Sequence, residues 1–147
     1  MARQTRIPKN GIRSFVRVTA ANTSSEGGGT IATDIFLVGT VDATNGSYIN
    51  FVRITARSAT AATTMTQSCV RVFTSTQSSG VTTSANTNLL VEKQMPVMVA
   101  DATVIPTWYF DVPVMQWIPA GLSILATSHQ ALAVNTVIGV EYFGGDF

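Results

Sequence analysis

The chain has 147 residues, 46% hydrophobic and only 12% charged, with a formal net charge of +1, whereas an ordinary soluble domain carries about 25% charged residues. Hydroxyl replaces charge, with 21 Thr and 12 Ser. This length predicts one domain with a core of its own, the single Cys69 excludes an internal disulfide, and no apolar run reaches the roughly 18 residues of a membrane span.

From the N-terminus, Arg3, Arg6, Lys9, Arg13 and Arg17 supply five of the nine basic residues, with no acid among the first 17 positions. The other four basic residues stand against eight acids, so the remainder carries −4. Residues 1–17 are therefore expected to form an extended basic arm on a single domain of residues 18–147. Such arms bind acidic protein surfaces or nucleic acid. The first strand is expected from Ile12 to Thr19, overlapping the arm's end. Asn22 to Gly29 is polar and Gly-rich, a flexible loop outside any core. Thr33 to Val38 follows as a strand, and Asn45-Gly46 signals a tight turn. Tyr48 to Arg57 alternates, placing Val52, Ile54 and Ala56 on one face and Arg53, Thr55 and Arg57 on the other.

Ala59 to Thr66 reads as a loop and Ser68 to Thr74 as the next strand. Cys69 lies in that apolar run and is expected to be a small buried hydrophobe with no His beside it. Ser75 to Asn88 is a Ser/Thr/Gly/Asn stretch longer than an ordinary loop, either functional or mobile. Leu89 to Gln94 is a short strand. Trp108 to Val112 lies between Pro106 and Pro113, so it belongs at a sheet edge or is only short. Ile118-Pro119-Ala120-Gly121 is a reverse turn, and Leu122 to Thr127 is a strand. His129 to Ala133 allows one helical turn at most. Val134, Thr136, Ile138, Val140 and Tyr142 share one face of the last strand. About eight short strands predict an all-β fold, a β-sandwich of jelly-roll form.

Little in the chain carries chemistry. His129 is the single histidine, in a polar loop, and reads as structural rather than as a catalytic base. Zinc needs several Cys or His ligands, and Asp34, Asp42, Asp101, Asp111 and Asp146 are too scattered for a calcium loop. Nothing in their spacing singles out Asp111 and Glu141 as a glycosidase pair. Gly27-Gly28-Gly29 lacks the Lys-Ser/Thr of a phosphate loop. Gly144-Gly145-Asp146-Phe147 matches a cyclic-dinucleotide synthase signature only superficially, with no α/β pattern around it. No catalytic residue, metal or cofactor is expected. The N-terminus leads into no apolar signal segment, so synthesis in a cytoplasm is expected.

Trp108, Tyr109, Phe110 and Trp117 form the one aromatic concentration, with Trp108 and Phe110 facing one way along a strand and Tyr109 the other. Core packing is one reading, a subunit-interface anchor another, and a sugar platform a third. A surface so polar yet so weakly ionised suits a protein whose flanks are covered by neighbours.

In chain order, Asn45-Gly46-Ser47 with Ile49, Val52-Arg53-Ile54, Val70-Arg71-Val72-Phe73, Ile118-Pro119-Ala120-Gly121, Ala126-Thr127-Ser128-His129 and Phe143-Gly144-Gly145-Asp146-Phe147 make one pattern. It resembles small structural proteins of tailed bacteriophages and prophages. The first 40 residues carry little of it. The resemblance implies a virion protein of jelly-roll fold, a capsid cement or decoration protein on the outer surface of the head. Some similar proteins serve instead in tails or head fibres, where an aromatic platform would bind a host glycan.

The expected partners are the major capsid protein, gripped through Arg3, Arg6, Lys9, Arg13 and Arg17, and further copies of the chain in a closed homotrimer. Neither a membrane nor nucleic acid is expected as a partner, the latter because no stacking aromatics are read as interleaving the basic residues.

Overall fold

The computed structural model describes residues 10–58, 63–99, 103, 105, 107–133 and 135–146. Its strands are β1 (Asn10–Val18), β2 (Gly29–Thr30), β3 (Phe36–Thr40), β4 (Ser47–Ser58), β5 (Ser68–Ser75), β6 (Val81–Thr82), β7 (Thr87–Met95), β8 (Thr107–Ile118), β9 (Ser123–Ser128) and β10 (Thr136–Asp146). No helix occurs among the described residues, His129 to Ala133 included.

The eight long strands form two antiparallel sheets, β1-β10-β4-β8 and β3-β9-β5-β7, while β2 and β6 make a two-stranded ribbon. Taken in order, the long strands pair first with last, second with seventh, third with sixth and fourth with fifth. The chain is thus one long antiparallel ribbon, rolled until β10 also meets β4 and β9 also meets β5. This is the jelly-roll sandwich expected from the strand pattern.

Local chemistry explains the punctuation. Gly46 and Gly121 take φ of 75° and 79°, completing the two expected turns. Pro113 lies inside β8, which forms the edge of its sheet, the place where a missing amide donor is tolerated. The strand runs on past Pro113 because a bulge restores the ladder. Met115 there adopts φ of 50°, and the pairing shifts between Ile49 and Phe51.

The alternation of β4 is realised as expected. Val52, Ile54 and Ala56 are fully buried between the sheets, against Ile138 and Val140 of β10 and Val70 and Val72 of β5. A second, smaller core lies on the far side of β5, β9 and β3, where Phe73, Leu125 and Ile35 are completely buried with Ile31 and Leu37 against them.

The Asn22–Gly29 segment departs from expectation: it helps cover this second core rather than hanging free. Asn22 is only 6% exposed; its side chain donates to the Gly28 carbonyl and accepts from the Ser24 amide. Paired turn groups satisfy the polar backbone that would otherwise forbid burial. The long Ser75–Asn88 stretch has the same task. It carries β6, and the hydroxyls of Thr82 and Thr87 donate to the carbonyls of Gly27 and Glu26. Chain from both segments therefore covers the outer side of the second sheet around Phe73 and Leu125.

Candidate docking face

Among the described residues the outer side of the first sheet has no such cover, and strand register builds it from residues far apart in the chain. Across β1, β10, β4 and β8, one row reads Arg13, Phe143, Phe51, Pro113. The next reads Phe15, Glu141, Arg53, Asp111, and the third Arg17, Gly139, Thr55, Tyr109. Val137, Arg57 and Thr107 follow, and Tyr48 pairs with Trp117 at the opposite end. Phe15, Tyr48, Phe51, Tyr109, Trp117 and Phe143 all lie on this face, half of a complement of seven Phe, two Trp and three Tyr. Tyr109 is 68% exposed and Phe15 47%. Aromatic residues and Arg are the types enriched in interface centres.

The centre is held by its own pairs. Phe51 and Phe143 stack with ring centroids 4.5 Å apart. The Arg13 guanidinium lies 5.3 Å over Phe143, and that of Arg53 lies 5.5 Å from Phe143 and 5.8 Å from Phe51. Arg13 Nη2 donates to both Glu141 oxygens at 3.1 Å. Arg53 grips Asp111 with two parallel bonds, Nε to Oδ1 at 2.7 Å and Nη2 to Oδ2 at 2.8 Å. Those bonds hold the Asp111 carboxyl below its ordinary pKa and raise that of Arg53.

Arg17 and Arg57 are different. Among the described residues neither makes an ion pair. They border a hollow of about 230 Å³ whose floor includes Gly139, Thr55 and Val137. Gly139 is required by the crowding: a Cβ there would come within 2.7 Å of both Phe15 Cε2 and Thr55 Oγ1. A second hollow, of about 500 Å³, shares Arg17, Arg57, Thr107 and Val137 and extends to Ile105.

Sequence-predicted residues distribute unevenly. Arg13 and Arg17 stand on β1 in this face, whereas Arg3, Arg6 and Lys9 of the expected arm lie outside the described residues, as do Asp101, Pro106 and Val134. The aromatic group divides as its alternation predicts. Trp108 and Phe110 turn inward at the β7/β8 side of the sandwich, their rings 6.2 Å apart, with Lys93 Nζ 3.5 Å over Phe110. Tyr109 and Trp117 belong to the outer face. The reading that aromatics do not interleave the cations fails: Phe15 lies between Arg13 and Arg17, and the sheet inserts Phe143 and Phe51 beside Arg13. Alternation already puts Thr55 and Arg57 on one face of β4, but nothing local links them to Arg17 or Gly139, so the hollow as a whole has no linear signal.

Cys69 is also corrected. It is half-buried rather than buried, on the outer side of β5, and the His129 amide donates to its carbonyl at 2.8 Å. Both residues line a depression of about 510 Å³. Burial, and then the charge of Glu92, push the thiol pKa up. His129 Nδ1 lies 3.3 Å from Arg71 Nη1, while Arg71 Nε donates to Glu92 at 2.6 Å. A nucleophilic cysteine needs the opposite shift, toward thiolate.

No protein-family model matches the chain, and no curated protein does. Among solved structures it is similar to a chain of the cyanophage Pam1 capsid asymmetric unit, with a TM-score of 0.44 and 12% identity over 100% of this chain and 92% of that one. It is also similar to a chain of infectious bursal disease virus, Gx strain, with a TM-score of 0.25 and 7% identity over 98% of this chain and 43% of that one.

Proposed function

We propose that this chain is a virion structural protein, a capsid cement or decoration protein that binds the outside of a phage head and stabilises the coat-protein lattice, with no enzymatic role. The observation that carries this reading is the asymmetry of the sandwich. Among the described residues, the chain's own loops cover part of the outside of one sheet, while six aromatics and four arginines lie on the outside of the other. Stranding that much aromatic surface in water is unfavourable for a solitary protein and natural for one that docks. The resemblance in the strand and turn segments points the same way. Each protomer bridging two coat subunits adds contacts that internal pressure must break. A closed trimer would present several identical faces to the shell, with the inward-turned Trp108 and Phe110 edge available for contacts between copies. Arg3, Arg6 and Lys9 would extend the positive charge of Arg13 and Arg17 toward an acidic coat surface.

The test is co-sedimentation of the purified chain with purified phage heads. Saturable binding and a higher rupture temperature are expected; absence of both overturns the proposal. A tail or head-fibre module that recognises a host glycan is the second reading, favoured by the exposure of Tyr109. Tyr109→Ala separates the two: loss of cell adsorption with intact heads selects the glycan role, and loss of head binding selects the cement role.

A further inference from the structure

Four arginines stand on the uncovered face, and two of them are already occupied, Arg13 by Glu141 and Arg53 by Asp111. Arg17 and Arg57 have no ion-pair partner among the described residues and are both exposed. They stand on β1 and β4, the two strands that flank β10, Arg17 opposite Gly139 and Arg57 opposite Val137. Two interstrand spacings across the sheet, about 10 Å, and two residues along it separate their backbones. Between them the floor is Gly139, Val137 and Thr55, with the Phe15 ring at one side. Tyr109 stands in the same row as Gly139 and Thr55, on β8. The result is a hollow with two unpaired forks at its margin and apolar surface between.

We propose that this hollow binds carboxylates, and that its occupant is an acidic segment of a partner protein laid across β10. The inference rests on the docking reading above and names the partner's chemistry. A guanidinium fork matches a carboxylate with two parallel hydrogen bonds, as Arg53 and Asp111 already do one row away. The apolar floor takes the small or aliphatic side chains between the segment's acids, and excluding water there strengthens the charge pairing.

Single-stranded nucleic acid fits less well. Phe51 and Phe143 are stacked on each other and overlain by guanidinium groups, so they offer bases little free ring surface. Two unpaired cations would give a salt slope of only about −1.4 on a single strand.

The experiment is fluorescence anisotropy at low salt on the full chain, with three labelled probes: an alternating Glu-Val peptide, its Lys-Val counterpart and oligo(dT). The Glu-Val peptide should bind and the other two should bind weakly or not at all. Arg17→Gln and Arg57→Gln should each weaken that binding about fivefold, and the double variant about 25-fold. Lys93→Gln removes one charge from the other sheet and should change it less than about twofold. Because Arg17 and Arg57 make no ion pair among the described residues, melting temperatures should stay unchanged. Full affinity in the double variant, tighter binding of oligo(dT), or self-association lost in the double variant would each overturn the proposal. The cement role fails separately: a chain that takes the Glu-Val peptide through Arg17 and Arg57 but does not sediment with heads loses that role and keeps the carboxylate site.

Discussion

Arg53 and Asp111 join β4 to β8 on the uncovered face through two parallel bonds of 2.7 and 2.8 Å. The same guanidinium lies over the stacked Phe51 and Phe143 rings. One carboxylate therefore holds both the edge strand and the arginine that covers the aromatic centre.

Asp111→Asn should reduce stability at neutral pH by a small amount, because the pair is partly open to solvent. Asp111 has a folded pKa below its unfolded one. Its contribution is therefore complete above the ordinary carboxylate value of about 4 and is lost as pH falls through the lower folded value. Urea denaturation of wild type and variant at neutral and acidic pH should show the gap closing in acid. A gap that persists there would detach the effect from ionisation.

Phe73→Ala should cost about 3–5 kcal/mol, since the ring is fully buried in the second core. Phe15→Ala should change stability by about 0.5 kcal/mol or less while weakening attachment to heads. Paired denaturation and co-sedimentation measurements check the contrast. If Phe15→Ala unfolds the protein, its ring belongs to the fold and not to a docking face.

Asn22→Ala should cost about 1–3 kcal/mol, because it leaves the Gly28 carbonyl and the Ser24 amide without their side-chain partner in a part-buried loop. Hydrogen exchange at the Ser24 and Gly28 amides should rise with it. Unchanged protection would show that the cover is held without the Asn22 side chain.

Deleting residues 1–9 should leave a folded protein, whereas deleting 1–17 should abolish folding, because it removes all but the last residue of β1. β10 would then lose its partner from Gly139 to Asp146, Val140 and Tyr142 included. Circular dichroism and thermal melts distinguish the two, and only the shorter deletion is a clean test of Arg3, Arg6 and Lys9 in head binding.

Much of the architecture is legible along the chain. The period-two pattern of Tyr48–Arg57 states which of its side chains turn inward, since a strand has only two faces and water sorts them. Gly46, Gly121 and Pro113 mark turns and an edge through backbone limits that act within a few residues. The Asn22–Gly29 loop misleads because polar, Gly-rich composition looks the same whether its backbone groups meet water or meet Thr82 and Thr87.

Which strand face stays bare is another matter. Arg13, Phe143, Phe51 and Arg53 come together only through the register of β1, β10 and β4. The same holds for Arg17 and Arg57, which meet over Gly139 across 40 positions of chain. Local periodicity determined most of the long strands, their turns and the two alternating faces of Tyr48–Arg57. Long-range pairing decided what the outward sides assemble into, because contacts between distant segments follow from how the ribbon rolls and not from any spacing within it.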